Sequence, residues 1–304
     1  VATLAAASSR AARPTRRAGE PGRLGAWLLV APALLFFVVL FLVPLALMLV
    51  MSLLDGNPGG RRPVGLTLAN YALLLEDSYH LEALGATLEL AAWVTLWSLV
   101  LAYPLAYQLV RLRSAVWRTA FLVAILSPML TGLVIRAYAW MTILADQGVI
   151  NQSLRLLGLT EAPLPLMYNQ FGIAVAMVHV FVPFMVLTLL GVLGRIDPRL
   201  EQAARSLGAS RGRAFLEVTL PLSLPGIVAG SVLVFSLSVS SYVTPTLLGG
   251  FQFINLPVLI YQQIASSFNP RLASALGFVL LIVSLLLVVA YWRALQGVVK
   301  GVRA

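Results

Sequence analysis

"EQAARSLGASRGRAFLEVTLPLSLPGI", residues 201–227, decides how the chain is read. It carries Glu201, Arg205, Arg211, Arg213 and Glu217 among small residues, inside a chain that is 60% hydrophobic. Between Pro198 and Gly208, the apolar residues Leu200, Ala203, Ala204 and Leu207 recur at i, i+3, i+4 and i+7, one face of an amphipathic helix. Asp197 is placed to cap its start, Pro198 suits its first turn and Gly208 its end. Glu201 and Arg205 stand in the favourable order for an i, i+4 pair. The face is narrow and built from small side chains, so this helix makes no core of its own. It suits a groove in another protein at close range. A solvated connector is the other reading, but it has little need of that small-residue face.

The surroundings of the stretch set its location. The chain has 304 residues, 11% of them charged, and a mean hydropathy of +0.93. Soluble domains carry about 25% charged residues, so the composition predicts an integral membrane protein. A crossing helix needs about 20 mostly apolar residues. Six stretches qualify: 26–54, 83–110, 119–144, 171–194, 222–245 and 273–292. Their internal prolines, Pro32, Pro44, Pro104, Pro128, Pro183 and Pro225, are compatible with membrane helices because neighbours can satisfy the freed carbonyls.

An even number of spans puts both termini on one side. Sixteen Lys and Arg residues fall on the side of the termini, the 111–118 loop and the 195–221 loop, against four on the other. The positive-inside rule then predicts cytoplasmic termini and a cytoplasmic 201–227 stretch. The expected fold is an all-α polytopic membrane protein of six transmembrane helices. Residues 1–23 are expected to form a disordered basic cytoplasmic tail. Residues 24–304 are expected to form one six-span domain, with the charged helix at about 197–210. On the far side, 148–159 has the spacing of a short interfacial helix, and 254–268 is apolar enough to tuck back against the bundle.

Several chemistries are excluded. There are no cysteines and only two histidines, His80 and His179, so no metal site is expected. The net charge of +10 is a topology signal, and no nucleic-acid partner is expected. A P-loop needs G-x-x-x-x-G-K-[ST], yet the one lysine, Lys300, lies in "VVKGV". Gly208-Ala209-Ser210-Arg211-Gly212 fits G-x-S-x-G, but that elbow requires a strand before the serine and a histidine base. Here the preceding residues read as helix. No span holds paired aspartates for an intramembrane protease, and no motif marks a serine that His179 would meet.

The opening stretch resembles the cytoplasmic loop of permease subunits in binding-protein-dependent ABC importers of the type I architecture. The family pattern is Glu-Ala-Ala, three residues, Gly, then nine residues to Ile-x-Leu-Pro. This chain has Gln202-Ala203-Ala204, Gly208 and Val218-Thr219-Leu220-Pro221 at every required spacing. Gln202 replaces the glutamate and Val218 the isoleucine, with Glu201 next door placed to stand in for the missing charge. The resemblance implies that Glu201, Gln202, Ala203, Ala204, Leu207, Gly208, Leu220 and Pro221 form the joint with an ATPase subunit. "YPLAYQL" (103–109), "RAYAW" (136–140), "FVPFMVL" (181–187), "TPTLLGG" (244–250) and "AYWRA" (290–294) are similar to the spermidine/putrescine permease branch.

The resemblance implies a transport subunit of the bacterial inner membrane that is not itself an enzyme and carries no cofactor. ATP and Mg would sit on two ATPase subunits. The further partners would be a second, similar permease chain, an extracytoplasmic solute-binding protein and membrane lipid. Transport would proceed by alternating access.

Polar residues within spans are costly and mark candidate pathway positions. These are Glu89, Arg136, Trp140, Ser238, Ser241, Tyr242 and Thr244, with Tyr103 and Tyr107 as further aromatics. Serines in span five suit either a hydrated path or close helix packing. Arg136 suits a structural role on a carbonyl or carboxylate, and His179 a helix contact. The expected cargo is a polyamine or related solute. Anionic or zwitterionic cargo (phosphonate, opine, amino-acid-derived) and iron stay open, because 244–246 reads "TPT" where an acid would favour a polycation. An ion-coupled carrier or membrane enzyme is the rival class, but a carrier's inverted repeats are not evident.

Overall fold

The computed structural model describes residues 23–55 and 65–303. The expected tail therefore lies outside the described residues except for Arg23, which opens the first helix. The described residues divide into two compact units, one ending at Met48 and one beginning at Leu49. The first contains α1 (Arg23–Phe37), a π-helical turn at Val38–Leu42 and most of α2 (Val43–Ser52). Phe37 and Phe41 stack at 5.0 Å across that turn.

The second unit is helical throughout, with only an isolated bridge between Leu54 and Leu66 outside helices and connections. In order it contains α3 (Ala69–Glu76), α4 (Ser78–Arg111), α5 (Ala115–Leu126), α6 (Leu133–Leu144), α7 (Val149–Leu156) and α8 (Gln170–Leu193). Then follow α9 (Pro198–Ser206), α10 (Arg211–Ala214), α11 (Leu220–Val239), α12 (Val243–Gly249), α13 (Leu256–Ala265) and α14 (Pro270–Arg303). Six segments among the described residues are long and apolar enough to cross a bilayer: Val30–Ser52, Ser78–Arg111, Leu133–Leu156, Gln170–Leu193, Arg211–Val239 and Pro270–Arg293.

Two of the expected spans are built differently. The 119–144 stretch is not one helix. Ser127–Leu130 narrows to a 3₁₀ turn, Thr131 is extended, and α6 restarts at Leu133. Pro128 removes a donor at that point, Ser127 Oγ donates to the Ala124 carbonyl at 2.9 Å, and Arg136 Nη1 donates to the Pro128 carbonyl at 2.7 Å, which the Thr131 amide also reaches. Span five likewise stops at Val239 instead of continuing to 245, and α12 restarts at Val243. Asn255, fully buried, donates from Nδ2 to the Ser241 carbonyl at 3.1 Å, holding this second break. The short helix expected in 148–159 is α7. The 254–268 segment forms α13, which packs against α14 and α4 and buries Leu256 and Leu259.

The core is a three-helix contact of α4, α8 and α11. Val94, Met177, Met185, Leu189 and Val234 are sealed within it. α11 approaches α8 through Gly226 and Gly230, a G-x-x-x-G pair that lets helix backbones come close. A Cβ on Gly226 would lie 2.9 Å from Val192 Cβ, and one on Gly230 only 2.5 Å from Met185 Sδ. A second cluster, centred on Leu74, Ala91, Leu256 and Leu276, joins α3, α4, α13 and α14. Gly230→Leu should therefore destabilise the protein in detergent by about 1–3 kcal/mol through overpacking. Gly191→Ala, with open space at that Cβ, should melt like wild type. Equal melting of both variants would show that the close approach is dispensable.

Candidate functional site

The charged helix forms as its sequence requires. Asp197 Oδ1 accepts from the Arg199 amide at 2.9 Å, and Pro198 occupies the first turn of α9. Gly208 ends the helix at φ +95°. Its amide bonds the Arg205 carbonyl and that of Ala209 the Ala204 carbonyl, the paired closure that a left-handed residue permits. The resulting face is open. Gln202, Ala203 and Gly208 are exposed, Leu200 is 48% exposed and Leu207 90% exposed.

Glu201 faces the other way. It forms an ion pair with Arg111 at the end of α4 and accepts a hydrogen bond from Thr219 Oγ1 at 3.2 Å, just before α11. The Tyr107 hydroxyl approaches it at 3.5 Å, and the Arg111 guanidinium lies 3.8 Å from the Tyr107 ring centroid. Its side chain is only 13% exposed. One expectation is corrected here. Glu201 pairs with Arg111, not Arg205, because the tertiary partner comes from a helix fixed beside it. On the open face Gln202 is the exposed polar residue.

Tyr103 and Tyr107 lie beside the same clamp. The Tyr103 hydroxyl bonds Ser223 Oγ at 2.8 Å, and Phe215 sets its edge against both tyrosine rings. Leu220 and Pro221 open α11, half-buried, on the connection and away from the exposed face. α9 is thus clamped to two spans by one carboxylate.

The remaining candidates separate into two places. Ser238 and Thr244 are buried in the packing of α11 and α12, and Ser241 is half-buried with its carbonyl taken by Asn255. Ser236 and Ser240 donate back to carbonyls of their own helix. The hydroxyls therefore divide, with Ser231, Ser238 and Thr244 packed inside and Ser236 and Ser240 exposed. Tyr242 is exposed and stacks on Tyr261 of α13 at 5.4 Å. Tyr261 lies in the 254–268 segment, where the sequence carries only an apolar pattern.

Glu89 and Trp140 come together elsewhere, on a groove of about 1130 Å³ between α4, α5, α6 and α8. Trp93, Trp97, Gln170 and His179 also line it. The tryptophans escaped the sequence reading, although they follow Glu89 at i+4 and i+8. Trp140 Nε1 donates to His179 Nδ1 at 3.2 Å. Arg136 is bound to the Pro128 carbonyl and does not line the groove. No cluster of three or more metal-ligating side chains exists among the described residues.

With this geometry in place, comparison with known proteins is informative. A family described as binding-protein-dependent transport system inner membrane component matches residues 28–299. The chain belongs to that family. It is a multi-pass inner-membrane permease subunit of the type I ABC class, a transport component and not an enzyme. It is 34% identical to the spermidine/putrescine transport system permease protein PotB of Salmonella typhimurium strain SL1344, over 75% of this chain and 79% of that one. It is also 34% identical to the inner membrane ABC transporter permease protein YdcU of Escherichia coli K12, over 70% and 71% of the two chains. A crystal structure of a bacterial ABC transporter that imports the acidic polysaccharide alginate shares its fold, with a TM-score of 0.73 at 20% identity, over 89% of this permease and 95% of that chain.

The clamp predicts a local effect. Glu201→Gln should weaken the hold on α9 by roughly 1–2 kcal/mol, as for loss of a charged hydrogen-bonded pair. Amide hydrogen exchange over 197–208 should then speed up by about tenfold, while exchange in α8 stays as in wild type. Unchanged exchange in α9 would show that the helix is held by other contacts.

Proposed function

We propose that this permease is the membrane half of an ATP-driven importer of a small organic cation of the polyamine type. The observation that carries the reading is α9: a capped, charged helix with an open small-residue face and a 90% exposed Leu207. A helix so disposed suits a cleft in a partner. The family resemblance makes that partner one of two ATPase subunits, which hold ATP and Mg. The other components are a second permease chain, taken as distinct but homologous, and an extracytoplasmic binding protein. The arginine distribution supports termini and α9 on the cytoplasmic side. The names of the PotB relatives support the cargo class.

The mechanism follows from what α9 is fastened to. Closure of the ATPases on nucleotide displaces α9. The Glu201–Arg111 pair passes this displacement to α4, and the Glu201–Thr219 bond passes it to α11. Those helices belong to the central contact with α8, so the rearrangement alternates access between the two sides. Release of nucleotide resets the path inward.

Leu207→Asp places a charge on the open face without touching the clamp, and Gly208→Asp forces a side chain into φ +95°. Both variants should insert in the membrane at wild-type levels. Both should lower ATP-driven uptake in proteoliposomes at least tenfold and lose co-purification with the ATPase. Wild-type uptake by Leu207→Asp would mean that α9 is not the joint.

A further inference from the structure

The groove between α4, α5, α6 and α8 has an uneven chemistry. Its walls are mainly aliphatic and aromatic, and among its lining residues Glu89 is the one carboxylate. No Lys or Arg lines it. Glu89 lies 11 residues inside α4, well within the span, and takes no ion pair or side-chain hydrogen bond among the described residues. An exposed carboxylate without a partner is open to an approaching cation, and the apolar walls beside it strengthen that attraction by lowering the local dielectric.

The surroundings favour a particular cation. Trp93 and Trp97 follow Glu89 at i+4 and i+8, about 6 Å apart in rise along one helix face. The two residues are 44% and 48% exposed. Indole presents the best π-face for a cation. The third tryptophan, Trp140, donates its N–H to His179 Nδ1, which makes that nitrogen an acceptor and leaves the imidazole without positive charge. Arg136 is not itself a lining residue, although its guanidinium sits on the carbonyl of Pro128, which is, and its charge reaches His179. The side of the groove formed by Glu89, Trp93 and Trp97 holds no cationic side chain.

From this juxtaposition we propose that the groove binds an organic ammonium ion, with its charge at Glu89 against Trp93 and Trp97. Its carbon chain lies along the aliphatic wall of α5 and α8. A strongly hydrated metal cation gains little from that wall, whereas a polymethylene amine uses both parts. The groove's volume is ample for such a ligand. This inference rests on the permease reading above and gives that reading a binding site.

The test uses the full permease complex in lipid nanodiscs, with labelled putrescine as probe and tryptophan fluorescence as a second readout. Putrescine should bind saturably, and butane-1,4-diol, its neutral counterpart, should not compete. Glu89→Gln should weaken binding about tenfold or more, as expected for loss of a charge-assisted contact. Trp97→Leu should weaken it several-fold, which keeps the test decisive if Glu89→Gln misfolds.

Unchanged affinity in Glu89→Gln, or equal competition by the diol, overturns the site. So does loss of the second permease from Glu89→Gln with putrescine binding intact, since the carboxylate would then face a partner helix. If Leu207→Asp transports normally, the coupling reading fails, and the Glu89 result still judges the groove by itself.

Discussion

Inside a bilayer no water takes a carbonyl that a helix releases, so each break in a span needs a side chain at the site of the break. Both breaks in this permease obey that constraint. At Pro128 the lost donor leaves the Ala124 carbonyl to Ser127 Oγ at 2.9 Å, and Arg136, one turn into the next helix, reaches back across the break to the Pro128 carbonyl. At Ser241 the amide of buried Asn255 does the same work from the start of α13, and its oxygen caps that helix through the Val258 amide at 3.2 Å. Asn255 thus ties the end of span five to the segment that tucks against it. These two residues fix where α6 and α12 restart, and α12 packs on both α6 and α8. An arginine in a membrane helix is here a structural fastening, which agrees with one of the two roles its sequence context allowed.

The second determinant is closeness. Lipid tails are as apolar as leucine, so apolar burial alone gives little preference for helix against helix. α8 and α11 gain their contact by backbone approach at Gly226 and Gly230, where Val192 and Met185 fill the space a side chain would occupy. Tyr103 with Ser223 then binds α4 to α11 near one end of this unit, and Glu201 closes the same end by joining α9 to both helices. The clamp lies where the bundle gives way to a charged loop. A half-buried ion pair keeps some solvent there, so its desolvation cost is below that of a pair in the core.

How far the sequence revealed this depended on the kind of residue. α9 was legible almost to the residue, because Asp197, Pro198 and Gly208 punctuate it and its apolar positions have a clear period. The number of spans was legible from length and hydropathy. Which way each span faces was not. A helix that meets lipid on one side and protein on the other is apolar all round, so periodicity carries no sign of the buried face. The information lay in small residues, and the G-x-x-x-G pair of α11 was its clearest expression. The serines of span five illustrate the same limit, because Ser231 and Ser238 pack inside while Ser236 and Ser240 bond their own helix. The orientation of Glu201 was beyond local reasoning for another reason. Its partner, Arg111, stands 90 residues earlier and meets it only in the folded chain.

α4 draws these threads together. It is one helix of 34 residues carrying Arg111 of the clamp at one end and Glu89 of the groove 22 residues back along it. At 1.5 Å per residue the two charges stand roughly 33 Å apart, close to the thickness of the hydrocarbon core. Between them Pro104 interrupts the hydrogen-bond ladder and also lines the groove. A proline in a helix interior removes one backbone bond and creates a point of bending. Under the coupling proposed above, a displacement at Arg111 enters a helix whose proline lies beside the groove, with Trp97, Trp93 and Glu89 beyond it. The same element that holds α9 through Arg111 also presents the groove's carboxylate. Clamp and groove are joined through a single continuous backbone.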